Sequence, residues 1–243
     1  MNEGVASDRT RGGRIGSRLR RLKSLASGRA MDLGILPYRQ IVTREPETWN
    51  AEYATDGLDH YAGLPLLSRS TLLLGYLDYL GGSPEVLEIG CGVGLLRERM
   101  ERSSFARYVG IDVSAVAIAR AEALSDERTT FLVGELPPAE VGPFDVVVMS
   151  DVLQCVSDPA RTLDSVRSSL RRGGALLTAI SSHRGDGALH KLIADRFERI
   201  DSVFARNDQK SFGWRVSMYR LPTDGSSRGS SLPGSGTSPR SPS

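Results

Sequence analysis

The sequence predicts an α/β fold, a doubly wound and mostly parallel sheet with an antiparallel edge strand and an N-terminal helical cap. Two features of the region from residue 84 onward carry this expectation. Short apolar runs alternate there with segments whose apolar residues recur at helical spacing, as βαβ units require. One of those runs, Asp145-Val146-Val147-Val148-Met149, carries three successive valines, so it is apolar on both faces, as a central parallel strand must be.

The elements follow in order. Residues 31–82 read as mainly helical, with Leu66, Leu67, Leu73, Leu74, Leu77 and Leu80 on the strongest segment and Gly81-Gly82 stopping it. Val86 to Ile89 is a short buried strand that ends in a glycine loop, and Leu95 to Met100 opens a helix. Tyr108 to Ile111 is a second strand, and Ser114 caps an alanine-rich helix after it. Phe131 to Val133 and Phe144 to Met149 are the third and fourth strands. Asp158-Pro159 supplies an N-cap and first helical residue, and Leu163, Val166 and Leu170 recur at helical spacing. Gly173-Gly174 is expected to end that helix, with Ala175 to Ile180 as the fifth strand. Arg199 to Ala205 and Gly213 to Arg220 read as an antiparallel pair at one edge. The α/β domain is therefore expected over 83–222.

Composition bounds the function classes. Forty per cent hydrophobic and 25% charged residues are ordinary for a globular chain, and a net charge of +2 argues for neither nucleic acid nor membrane as partner. Charge is uneven, however. Residues 1–30 hold Arg9, Arg11, Arg14, Arg18, Arg20, Arg21, Lys23 and Arg29 against Glu3 and Asp8, with almost no apolar periodicity, and are expected to be a disordered basic tail. Residues 223–243, rich in Ser, Gly and Pro, are expected to be a second one. Cys91 and Cys155 have no metal-ligand or CxxC spacing, so no metal is expected and a reducing compartment is the default. No apolar run is long enough to span a bilayer and no signal-peptide core is seen, which gives a cytoplasmic expectation.

The residues that bear chemistry lie at strand ends. Glu88-Ile89-Gly90-Cys91-Gly92-Val93-Gly94 sets glycines at alternate positions after a strand, which lets a ligand approach the main chain. A dinucleotide fingerprint would need its third glycine one residue later, where Leu95 stands, and no Lys-Ser/Thr pair follows as in a phosphate-binding loop. An acid at Glu88 suits a cationic ligand. Each position has a plainer reading: Asp112 as an acid at a helix start, Glu135 as a loop residue, Asp151 as a surface turn, Cys91 as small packing. Their placement at four successive strand ends gives them a common crevice, where open α/β sheets bind ligands.

This pattern resembles the first motif of class I S-adenosylmethionine-dependent methyltransferases, E/D-x-G-x-G-x-G, and the resemblance runs from Pro84 to Ile180. It implies a Rossmann-like domain with S-adenosylmethionine as cofactor. Glu88, Gly90, Cys91, Gly92 and Gly94 would form the loop beneath it, and Asp112 with Val113 would hold the ribose. Glu135 with Leu136 would meet the adenine, and Asp151 would face the methionine part. Many relatives carry His where this chain has Cys155. His183, just after the fifth strand, is then the candidate general base, with His60 and Tyr61 nearer the cap, whereas His190 reads as a packing residue. Trp49 and Tyr53 either shield the sulfonium or staple a helix to the core. A small-molecule acceptor is expected. An RNA acceptor, a catalytically silent binding protein and an NAD-dependent oxidoreductase are the alternatives.

Overall fold

The computed structural model describes residues 45–55, 63–182, 186–206 and 213–222. The basic segment 1–30, the tail 223–243, His183, His60 and Tyr61 lie outside the described residues.

The first elements among the described residues are helix α1 (Pro46–Ala54) and helix α2 (Leu64–Leu80). Strand β1 (Glu85–Ile89) leads through the glycine loop to α3 (Leu95–Arg99), followed by β2 (Arg107–Asp112), α4 (Ala115–Ala121), β3 (Thr129–Val133) and β4 (Phe144–Ser150). Helix α5 (Pro159–Ser169), β5 (Leu170–Ser181), α6 (Asp186–Ala194), β6 (Glu198–Arg206) and β7 (Gly213–Arg220) complete it. The sheet has seven strands in the order β3-β2-β1-β4-β5-β7-β6. Strands β1 to β5 are parallel, and β7 inserts antiparallel between β5 and β6. The order reverses between β1 and β4, which opens the crevice where such sheets hold their ligands.

Helices cover both faces. Leu73 and Leu77 of α2, Leu96 of α3 and Ile118 of α4 pack with Trp214, Val216 and Met218 on one face. Leu163 and Val166 of α5 and Leu189 and Ile193 of α6 pack on the other with Phe197 and Tyr219. Burial on both faces explains the unbroken apolar run of β4, in which Val146, Val147 and Val148 are all buried. Ser114 and Asp158 cap α4 and α5 as their sequence positions predict, accepting from the amides of Ala117 and Arg161.

The structure moves the boundary between α5 and β5. Helix α5 ends at Ser169, and Gly173-Gly174 lies inside β5 rather than at a helix end. Arg171 makes the difference, because it bonds Glu85 and Asp145 at the starts of β1 and β4 and draws the chain into the sheet early. No helix among the described residues is long and apolar enough to cross a membrane.

Candidate functional site

The glycine loop joins β1 to α3. Gly90, Gly92 and Gly94 all have positive φ (72°, 55° and 82°), a region that side-chain-bearing residues avoid. The three face different neighbours. A Cβ on Gly90 would strike Val152 Cγ2 at 2.1 Å, one on Gly92 would meet the Tyr53 hydroxyl at 2.7 Å, and one on Gly94 would meet Leu124 Cδ1 at 2.9 Å. Gly94 therefore serves packing of α3 against the sheet. It does not line the cleft of about 290 Å³ that opens above the loop, whereas Gly90, Cys91 and Gly92 do.

Asp112 ends β2 inside that cleft and is 7% exposed. Its Oδ2 accepts from the Gly92 amide and its Oδ1 from the Ser114 amide, each at 2.9 Å. Burial raises its pKa against those two amide hydrogen bonds. A carboxylate oxygen has two lone pairs, so each oxygen keeps one for a further donor. Val113 lines the cleft beside it.

Glu88 closes the floor. It is 4% exposed and accepts from the hydroxyl of Tyr108. Burial pushes its pKa up to about 8, against the lowering effect of the Tyr108 hydrogen bond and the Arg69 charge. In the ligand-free protein this carboxyl holds its proton at neutral pH. Cys91 is buried against the core face, and burial raises its thiol well above the ordinary value, so it is a packing residue rather than a nucleophile.

Asp151, at the end of β4, has φ 57° and a carboxylate whose four acceptor positions are all used. Oδ2 accepts from Arg69 at 2.5 Å and from Trp214 Nε1 at 2.7 Å. Oδ1 accepts from Gln154 Nε2 and from the Ser181 amide, both at 2.9 Å. The residue lines the cleft, yet its side chain is committed to α2, β5 and β7.

Glu135, after β3, is exposed at the cleft rim and accepts from Ser157 Oγ at 3.1 Å. Leu136 stands next to it but does not line the cleft. Helix α1 forms the opposite wall through Trp49 and Tyr53, both half-buried. Its Asn50 Oδ1 accepts from Ser114 Oγ at 2.7 Å and from the Val116 amide at 3.3 Å, and Arg120 donates to the Tyr53 carbonyl at 3.1 Å. Cys155 lines the cleft half-buried, where the motif resemblance had raised a histidine. Among the described residues the cleft wall contains no histidine, and no group of three His, Cys, Asp or Glu is placed to hold a metal. His190 sits on α6, and burial together with the Arg215 and Arg199 charges pulls its pKa down to about 4.

Reading the sequence did not find Arg69 or Asn50. Arg69 did leave a signal, since it interrupts the buried stripe of Leu66, Leu73 and Leu77, and a charge on a core-facing stripe requires a partner. Asn50 left none, because its partners on α4 are more than sixty residues away in the chain.

A family model described as a methyltransferase domain matches residues 87–176, from within β1 through the glycine loop to within β5. The ubiquinone biosynthesis O-methyltransferase of Hahella chejuensis (strain KCTC 2396) is 34% identical over 122 residues, covering 46% of this chain and 50% of that protein. Its namesake from Neisseria meningitidis serogroup C (strain 053442) is 29% identical over 133 residues, covering 50% of this chain and 56% of that one. The chain spans about half the length of the curated relatives it matches. Among solved structures, the N-methyltransferase NodS of Bradyrhizobium japonicum WM9 in complex with S-adenosyl-L-homocysteine superposes with a TM-score of 0.62 at 20% identity, covering 73% of this chain and 98% of that one. The [4+2]-cyclase SpnF superposes with a TM-score of 0.59 at 19% identity, covering 76% and 99%. At such identities the likeness is one of fold, and that fold is the Rossmann-like one. Residues 87–176 are thus similar to methyltransferase domains, and the sheet built around them has the Rossmann-like fold of the solved structures it superposes on.

Proposed function

We propose that this protein binds S-adenosylmethionine in the cleft above the glycine loop and transfers its methyl group to a small-molecule acceptor. The observation that carries the reading is Asp112. Two backbone amides fix its carboxylate at a strand end, and one lone pair on each oxygen is left for a vicinal diol such as a ribose. The remaining assignments rest on the same cleft. Gly90, Cys91 and Gly92 supply a main-chain floor, Val113 an apolar contact beside the ribose, and Glu135 a rim acceptor for an exocyclic amine. Glu88 supplies negative charge beneath a cation once that cation's field has favoured its ionised form.

When bound, the sulfonium provides an electrophilic methyl group, so the protein's part is placement and exclusion of water. Trp49 and Tyr53 line the cleft from α1 and supply aromatic rings beside a bound cation. Asp151 does not act as a base, because its four acceptor positions are filled, and it instead holds β4, β5, β7 and α2 in register around the acceptor side. The general-base assignment to His183 is a proposal about a residue outside the described region. The names of the curated relatives support a hydroxyl acceptor, for which such a base removes the departing proton. SpnF, a cyclase on this fold, keeps a non-methylating role as the second reading.

Calorimetric titration with S-adenosylmethionine, S-adenosylhomocysteine and NAD tests the binding half. The first two should bind and NAD should not. Asp112→Ala should weaken binding roughly 10- to 150-fold, the equivalent of losing about 1.5–3 kcal/mol of charge-assisted hydrogen bonding. Undiminished affinity in a folded Asp112→Ala protein removes the ribose assignment. Release of S-adenosylhomocysteine with a panel of phenolic acceptors tests transfer, and cofactor binding without turnover on any acceptor class would favour the second reading.

A further inference from the structure

Helix α1 is tied to α4 by polar contacts. It has nine residues and none of them is buried. A helix of that length is marginal by itself, so its position depends on what holds it. Asn50 is central to that hold. Its Oδ1 receives both the Ser114 hydroxyl and the Val116 amide at the start of α4. The amide of the same Ser114 donates to Asp112 Oδ1, and Asp112 Oδ2 receives the Gly92 amide. Gly92 in turn faces the Tyr53 hydroxyl, one helical turn after Asn50. The contacts form a closed circuit from α1 through α4 and the strand end to the glycine loop and back to α1.

We infer that Asn50 is a positioning residue that latches α1 over the cleft and couples its closure to the carboxylate of Asp112. This rests on the reading of the cleft as a cofactor site. While the latch is made, Trp49 and Tyr53 wall off the space above the loop, so a ligand leaves when α1 lifts. Asn50 makes both bonds as an acceptor, so its amide nitrogen has no part in the latch. Ser114 also caps α4 by itself, accepting from the Ala117 amide at 3.1 Å. Helix α4 therefore keeps its cap when Asn50 is removed.

The test is the dissociation rate of S-adenosylhomocysteine from the full chain, read by stopped-flow displacement. Asn50→Ala should release the ligand roughly 5- to 30-fold faster, the effect of two hydrogen bonds of ordinary strength, with the ligand-free melting temperature unchanged. Asn50→Asp keeps an acceptor oxygen and should restore slow release. Hydrogen exchange gives an independent reading: amides of Pro46–Ala54 should be protected by ligand in the wild type and not in Asn50→Ala. Wild-type release rates and protection in Asn50→Ala would overturn the latch. A lowered ligand-free melting temperature with no change in release or protection would do so too, since it marks a purely structural role. If the wild-type protein binds neither S-adenosylmethionine nor S-adenosylhomocysteine, the functional reading itself fails and the latch falls with it.

Discussion

Glu88 shows how much of the site's electrostatics resides in one side chain. Its ordinary pKa is 4.5 and burial raises it to about 8 in the ligand-free fold. The folded protein therefore holds a proton that the unfolded chain releases between those values, so Glu88 lowers stability as pH rises from 4.5 through 8. A cation in the cleft favours the ionised form and reverses the preference. Affinity for S-adenosylmethionine should accordingly increase with pH through about 8 and level off above it, with proton release on binding near neutrality. Titrations from pH 6 to 9 in buffers of different ionisation enthalpy measure both. Glu88→Gln should abolish the protein's share of this dependence and controls for the ligand's own amine. An identical pH profile in that variant would contradict the assignment. At this scale the sequence was informative about position, because Glu88 and Asp112 could be placed at strand ends from the pattern alone. It carried nothing about protonation, which burial in the folded protein sets against the opposing effects of Tyr108 and Arg69 from other elements.

Among the elements, the glycine loop and α1 act as one unit. Reading the motif alone suggests that Gly92 lies against the cofactor. Gly92 lines the cleft and also faces the Tyr53 hydroxyl, 2.7 Å from where a Cβ would sit. Gly92→Ala should therefore displace α1, in addition to the strain of φ 55°. Ligand affinity should fall, and Tyr53→Ala should recover part of the loss because it removes the colliding hydroxyl. Measuring cofactor affinity in the two single variants and the double variant isolates this coupling. Strictly additive effects would show that Gly92 and α1 act separately. The loop's conformation was legible in its alternating glycines. What it packs against was not, since α1 lies some forty residues earlier and shows no amphipathic pattern to betray its partner.

Across the whole molecule, Asp151 ties the cap helix to three strands. Its side chain is 13% exposed and that of Arg69 8%, so both partners of the ion pair are largely removed from water. Trp214 from β7 and the Ser181 amide from β5 complete the junction. Asp151→Asn removes the carboxylate that meets the Arg69 guanidinium at 2.5 Å and turns an amide donor toward donors. The expected cost is roughly 3–5 kcal/mol of unfolding free energy, as for other broken buried pairs. Denaturant unfolding checks it. A midpoint equal to that of the wild type would mean that α2 is held to the sheet by its leucines alone.

The sequence by itself determined the strand order's raw material: alternating βα units, a loop that only glycines can form, and acids at the ends of β1, β2, β3 and β4. These are local properties, fixed by periodicity and by the conformational range of single residues. Only the tertiary structure decided what those acids do. Asp112 and Asp151 occupy equivalent places in the motif, yet one keeps acceptor capacity toward the cleft and the other spends all of it on Arg69, Trp214, Gln154 and Ser181. It also decided that the β5 strand begins at Leu170, where Arg171 reaches Glu85 and Asp145, and that Asn50 meets Ser114 and Val116 at the start of α4. The physical reason is common to all of them. Hydrogen-bond capacity is finite, and which partners fill it depends on groups that meet only when distant segments fold together.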